Sequence, residues 1–173
     1  VLSASNVYLI GMMGSGKTVT GKALAGLLDY LFVDLDAEIQ VREGRSIPEI
    51  FAASGESYFR DVEASVLKQF SKKARQVIAT GGGIVLREEN VQCMKETGKV
   101  MLLKASAESL WQRVRYSKDR PLLNKPDPFG ALRQILNDRE AFYDNACDFS
   151  VPTDGKIAED VASEIRGILR IGK

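Results

Sequence analysis

The stretch that decides the fold is Asn6-Val7-Tyr8-Leu9-Ile10-Gly11-Met12-Met13-Gly14-Ser15-Gly16-Lys17-Thr18. Asn6 to Ile10 is a short apolar run closed by glycine, the pattern of a strand buried on both faces. Gly11 to Thr18 then fits the spacing Gly-x-x-x-x-Gly-Lys followed by Ser or Thr. From Thr18 onward the apolar residues Val19, Ala23, Leu24, Leu27 and Leu28 recur at helical spacing, so the glycine-rich turn joins a strand to a helix. That is the context in which this motif cradles phosphate. Its glycines let the backbone curl until successive N–H groups of Gly14, Ser15 and Gly16 point inward at the positive end of a helix. Lys17 adds a mobile point charge for the β- and γ-phosphates, and the Thr18 hydroxyl suits Mg²⁺. A turn that merely connects strand to helix is the plain alternative; Lys17 and Thr18 in their places favour a nucleoside triphosphate.

Working outward, Tyr30 to Val33 reads as a second buried strand ending at Asp34, which completes a β-α-β unit. Ser46-Ile47-Pro48-Glu49 has the form of a helix start, with Ser46 as cap and Glu49 three residues on. A further helix is predicted from Glu56 to about Ser71, a third strand over Gln76 to Thr80 and a fourth over Lys99 to Lys104. Helical patterns separate them. After a helix from Ala107 to about Tyr116, the segment 117–128 gathers three of the five prolines among charged residues and reads as a loop long enough for a lid. Phe129 to Tyr143 is helical, Phe149 to Val151 a short strand, and Ile157 to Ile171 an amphipathic closing helix. The alternation implies an α/β fold with a central parallel sheet and helices on both faces, ligands lying at the carboxyl ends of the strands. Gly11, Asp34 and Gly81 all fall at that edge.

Composition narrows the chemistry. The chain has 173 residues, which fits one domain, and 45% hydrophobic with 27% charged residues fits a folded globule rather than a disordered chain. Histidine is absent, which removes every imidazole base, His-based triad and His metal ligand; catalysis falls to carboxylates, Lys or Arg. Cys93 and Cys147 lie far apart without zinc spacing, so two reduced thiols are expected. A net charge of +1 gives no overall field for nucleic acid or an anionic membrane, so neither is expected as a partner. No apolar stretch approaches the roughly 20 residues that span a bilayer. The start Val1-Leu2-Ser3-Ala4 is no signal peptide, and a cytoplasmic monomer is expected, or a plastid protein had a transit segment been removed.

Such a phosphate loop needs a second carboxylate for the metal, and the third strand ends in Thr80 rather than Asp. Asp34-Leu35-Asp36 at the end of the second strand is the best source. Asp34 is expected to reach Mg²⁺ through water and Asp36 to accept or orient the hydroxyl that is attacked. An ordinary helix cap ahead of Ala37 to Arg42 is the competing reading for either residue.

Taken in order, GMMGSGKT at Gly11 to Thr18, DLD at Asp34 to Asp36, IPEIFAASGESYFRDVE at Ile47 to Glu63, TGGG at Thr80 to Gly83, RPLL at Arg120 to Leu123 and NDREAFY with Arg139 and Tyr143 resemble the shikimate kinase family across essentially the whole chain. The resemblance implies a P-loop kinase of nucleoside-monophosphate-kinase type, three-layered α/β/α, as one domain over 1–173. It also implies a lid over about 117–128 and a substrate-binding helical region over about 36–63. The implied activity is transfer of a phosphoryl group from ATP, with Mg²⁺, to the 3-hydroxyl of shikimate, a step toward chorismate and aromatic amino acids. Asp36 matches the carboxylate that binds ring hydroxyls and takes the proton; Arg60 and Arg139 match the arginines that grip the substrate carboxylate. Glu63, one helical turn from Arg60, is placed to hold its guanidinium. Gly81, Gly82 and Gly83 match the family's glycine run, where a flat ligand meets backbone N–H groups. Lys17 and Arg120 match catalytic cations, Arg120 arriving with the lid, and Arg113 matches a position that stacks on adenine, though a plain surface-helix role fits it nearly as well.

The chain departs from that pattern in two places. Pro152-Thr153-Asp154-Gly155-Lys156 lacks an arginine that some members place near the adenine, leaving Lys156 as the nearest cation, and Glu140-Ala141 stands where many have a proline before the aromatic pair. Two rivals stay open from sequence: a kinase for another small hydroxy acid such as gluconate, and a non-catalytic nucleotide-binding relative.

Overall fold

The structure, a computed structural model, describes residues 5–117 and 120–171. Five strands, β1 (Asn6–Ile10), β2 (Leu31–Asp34), β3 (Gln76–Ala79), β4 (Gly98–Lys104) and β5 (Phe149–Pro152), form one parallel sheet in the order β2-β3-β1-β4-β5. The helices are α1 (Lys17–Leu28), α2 (Leu35–Glu43), α3 (Ile47–Ser71), α4 (Glu88–Thr97), α5 (Ala107–Val114), α6 (Pro128–Ala146) and α7 (Ala158–Ile171). Because side chains alternate along a strand, the sheet feeds two separate cores. Val7, Leu9, Val77, Met101, Leu103 and Val151 pack beneath α1 and α7. Tyr8, Ile10, Ile78, Val100 and Leu102 pack beneath α2 to α6. The result is the three-layer α/β/α arrangement expected.

Every residue of β1 and β3 is buried, as apolar runs in the middle of a parallel sheet require. The second strand departs from its reading. It begins at Leu31 and lies at the edge, with Leu31 70% exposed, because the chain runs from central β1 out past one strand position to β2, and β3 later fills the place between them. The sequence shows a strand's composition but not its place in the order.

Ser46 caps α3 as its sequence predicts: its hydroxyl accepts from the Glu49 amide, and the Glu49 carboxylate accepts from the Ser46 amide at 2.7 Å. Gly55 interrupts α3 with non-helical backbone, so the two predicted helices are two arms meeting at a kink. The first arm carries Ile47 and Phe51, the second Phe59, Arg60 and Glu63. Between α5 and α6, the predicted lid folds a 3-10 turn at Pro121–Leu123, and Asp127 caps α6 three residues before Gly130. Helix α6 therefore starts one residue earlier than the periodicity indicates, with Pro128 in its first turn. Lys118 and Asp119, part of that lid, and Val1 to Ala4 lie outside the described residues.

Candidate active site

The parallel sheet brings the carboxyl ends of β2, β3 and β1 side by side, with Asp34 level with Ala79 and Ala79 level with Leu9. One edge of the sheet thus holds the loop after β1, the Asp34-Leu35-Asp36 corner and the glycine run after β3.

In the phosphate loop, Gly14 and Gly16 take positive φ of 81° and 93°, curling the chain into the start of α1. That helix has no side-chain cap and no acidic residue in its first turn, so its positive end is left open for an anion. Lys17 folds back over the loop and donates to the carbonyls of Gly11 and Met12 at 2.8 and 3.0 Å. Burial of its ammonium lowers its pKa to about 8, opposed by the nearby Asp36 carboxylate.

Asp34 does two jobs with its two oxygens. Oδ1 caps α2, accepting from the amides of Asp36 and Ala37, while Oδ2 accepts from the Thr18 hydroxyl at 2.8 Å. The cap reading and the metal reading thus prove compatible. A hydroxyl and a carboxylate oxygen in contact form a hard-oxygen pair of the kind Mg²⁺ takes alongside phosphate and water. Among the described residues no cluster of three His, Cys, Asp or Glu side chains stands ready to hold a metal by itself.

Beside the loop lies a cavity of about 80 Å³ lined by Met13, Asp36, Phe51, Phe59, Arg60, Glu63, Gly81 to Gly83, Arg120 and Arg139, among others. Arg60 is held from both sides along α3, its Nη1 donating to Glu63 at 2.8 Å and its Nη2 to Glu56 at 2.9 Å. The Glu63 pairing follows from helical spacing. The Glu56 pairing, one turn the other way, follows from the same rule. Glu63 is fully buried, and burial pushes its carboxyl upward while Arg60 draws it back. Burial likewise raises the pKa of Asp36, against the pull of Lys17.

The glycine run is needed because the side chains press on it. A Cβ on Gly81 would stand 2.5 Å from Glu63 Oε1 and 3.0 Å from Asp36 Oδ1, and one on Gly83 would collide with the Arg60 guanidinium. No side chain fits between those groups. Arg139 is buried on α6, close to Gly82, and among the described residues has no ion-pair partner.

Five buried side-chain polar atoms among the described residues lack a hydrogen-bond partner: Ser15 Oγ, Asp36 Oδ1, Arg60 Nε, Glu63 Oε1 and Arg120 Nε. Four of the five belong to residues lining this one cavity, and the fifth sits in the phosphate loop. Each unpaired buried group costs roughly 1–3 kcal/mol, so their concentration marks where a polar ligand is to be received.

Arg113 and Lys156 fall elsewhere. Arg113 donates to the carbonyl of Gly14 at 3.1 Å and to the hydroxyl and carbonyl of Thr153, tying the phosphate loop to the turn after β5. Both terminal nitrogens are engaged, and the faces of its plane remain for a ring. Lys156, the cation nearest to the place of the missing arginine, is paired at 2.6 Å with Glu164 of α7. Nothing in the sequence gives Tyr143 a task, yet its hydroxyl donates to the Gly82 carbonyl, 61 residues away in the chain.

A fully parallel sheet flanked by helices, an open glycine-rich helix entry bearing Lys and Thr, and a polar cavity beside it define a P-loop kinase of the nucleoside-monophosphate-kinase type. Comparison with known proteins narrows the class. A family model described as shikimate kinase matches residues 13–170. The shikimate kinase of Thermodesulfovibrio yellowstonii is 43% identical over 160 residues, 92% of each chain. The structure of shikimate kinase from Acinetobacter baumannii in complex with shikimate superposes with a TM-score of 0.97 at 36% identity, covering 99% of this chain and 96% of that one. The chain belongs to the shikimate kinase family. A gluconokinase from Sinorhizobium meliloti, at 15% identity and a TM-score of 0.61, shares the fold alone.

Proposed function

We propose that this chain transfers the γ-phosphoryl group of ATP to the 3-hydroxyl of shikimate, giving shikimate 3-phosphate and ADP. The observation that carries this reading is the gathering of Asp36, Arg60, Glu63 and Arg120, each with an unpaired buried atom, around one cavity beside the phosphate loop. A ring acid with one carboxylate and three hydroxyls suits that inventory. Arg60 and Arg139 grip the carboxylate, and Asp36 with the glycine amides takes the hydroxyls.

The triphosphate lies along the amides of Gly14, Ser15 and Gly16, with Lys17 on the β- and γ-phosphates and Arg113 beside the base. Thr18 and Asp34 would hold Mg²⁺, whose contribution is to shield the negative charge of the phosphate oxygens. Asp36 accepts the proton of the 3-hydroxyl as the resulting oxygen bonds to the γ-phosphorus. The bond from that phosphorus to the bridging oxygen breaks, and its electron pair leaves with ADP. Burial, by raising the Asp36 pKa, makes it a stronger base than a solvated carboxylate. Arg120, with Pro121 and Leu122, covers the cavity from the segment between α5 and α6 and neutralises charge on the moving phosphoryl group.

All the groups this reading needs come from one chain, which supports action as a monomer. Among the described residues no helix is long and apolar enough to cross a membrane. Cys93 and Cys147 are both free thiols, which suits the reducing cytoplasm. A coupled assay for ADP release with ATP, Mg²⁺ and a panel of shikimate, quinate and gluconate tests the function. Turnover of shikimate far above the other two is expected; preference for gluconate, or no turnover, contradicts it.

A further inference from the structure

Glycine peptides rotate at little cost, so a glycine run that is to present N–H groups must have its carbonyls tied elsewhere. The carbonyls of Gly81 to Gly83 are each engaged. Gly81 O accepts from the Ile84 amide at 3.2 Å and Gly83 O from the Leu86 amide at 3.1 Å, both within the 3-10 turn that follows. The middle carbonyl has no such local partner. Gly82 O accepts instead from the Tyr143 hydroxyl at 2.5 Å, reached from α6. Among the described residues the N–H groups of Gly82 and Gly83 donate to no protein acceptor.

Tyr143 approaches from behind the run. It is 3% exposed and does not line the 80 Å³ cavity that Gly82 and Gly83 line; it lines a separate cavity of about 390 Å³ together with Met12, Leu136 and Glu140. No peptide among the described residues is cis, and in a trans peptide the C=O and the following N–H point in opposite directions. A Gly82 carbonyl turned toward Tyr143 therefore turns the Gly83 N–H away from it, and Gly83 itself lies against the Arg60 guanidinium of the cavity. The same ring touches the phosphate loop, its hydroxyl lying 3.9 Å from Met12 Sδ, and stands one turn from Arg139 on α6.

We propose that Tyr143 is a positioning residue: its hydroxyl locks the Gly82–Gly83 peptide so that the Gly83 N–H faces the ring-acid cavity as a donor to the bound substrate. A flipped peptide would present a carbonyl oxygen to an anionic ligand instead. The inference rests on the shikimate reading above and adds a residue to it that touches no substrate.

The test compares the full-length protein with Tyr143→Phe, which keeps the ring and removes only the hydroxyl, and with Arg60→Ala in parallel. For Tyr143→Phe, KM for shikimate is expected to rise about fivefold, in the range of one lost hydrogen bond, while KM for ATP stays within about twofold. In ¹⁵N-labelled protein, shikimate is expected to shift the Gly83 amide resonance strongly in the wild type and weakly in Tyr143→Phe. An unchanged KM for shikimate, equal rises in both KM values, or an undiminished Gly83 shift overturns the positioning role. Arg60→Ala separates the two levels: if it weakens shikimate while Tyr143→Phe does not, the functional reading stands and this inference fails; if neither matters, both fail.

Discussion

The phosphate loop takes its groups from one stretch of chain, Gly11 to Thr18, whereas the neighbouring cavity draws Asp36, Arg60 with Glu63, Gly81 to Gly83, Arg120 and Arg139 from five separated segments. The loop is rigid by local means: curled glycines, a helix entry, and Lys17 folded onto the carbonyls of its own turn. The cavity is assembled by tertiary structure from groups far apart in the chain. Arg60 alone is aligned locally, by two carboxylates along α3, whereas the glycines are packed against side chains brought to them from α2 and α3. A binding surface made of backbone amides recognises what all nucleoside triphosphates share, while one made of opposed side chains can be shaped to a single small acid. General recognition is local here, and specific recognition depends on the fold.

Asp36 stands where the two regions meet, and changing it should separate them most sharply. Asp36→Asn keeps the volume and removes the base, so turnover should fall by about two orders of magnitude or more, while ATP affinity measured by calorimetry stays near the wild-type value. Retained turnover would remove Asp36 from its role.

Arg60→Ala should act on one side only. Losing a charged hydrogen bond to the substrate corresponds to about 1.5–3 kcal/mol, or roughly 10- to 150-fold in shikimate affinity, with ATP affinity unaffected. A loss on the ATP side instead would erase the division between the regions.

The pH dependence should divide along the same line. With Lys17 lowered to about 8, its ammonium is present below that pH and lost above it. kcat/KM for ATP should therefore fall as pH rises through about 8, roughly tenfold per further unit if the charged form alone is productive. Shikimate affinity should change little in that window. Saturating ATP should move the fall upward, since phosphate charge favours the ammonium. On the acid side, Asp36 must be ionised to accept a proton, and its raised pKa should bring the loss of turnover at a higher pH than an ordinary aspartate gives. Profiles of kcat/KM for each substrate check both limbs.

The smallest effect is expected at Lys156. Its surface pair is with Glu164 of α7, so Lys156→Ala should leave KM for ATP within about twofold. A large rise would return Lys156 to the nucleotide side.

How far each region could be read in advance follows from how it is built. The strand, glycine turn and helix of the loop are neighbours in sequence, so spacing alone placed Lys17 and Thr18. Asp34 and Asp36 drew attention as carboxylates at a strand end, but not the division of the two Asp34 oxygens between a helix cap and Thr18, which depends on the adjacency of β2 to β3 and β1. Arg60, Arg120 and Arg139 stood out only through the family resemblance, since nothing local distinguishes an arginine lining a cavity from one on a solvated helix. The edge position of β2, the commitment of Lys156 to Glu164 and the reach of Tyr143 to Gly82 were hidden for the same reason: each depends on which elements the fold makes neighbours.

The meeting of the two regions can be measured directly in a crystal structure of the ternary complex with shikimate and a non-hydrolysable ATP analogue. Arg60 and Arg139 should both bond the substrate carboxylate, with the 3-hydroxyl about 3 Å from Asp36 and about 3–3.5 Å from the γ-phosphorus, in line with the bridging oxygen. Shikimate bound with its carboxylate away from both arginines, or with its 3-hydroxyl turned from the γ-phosphate, would contradict the account.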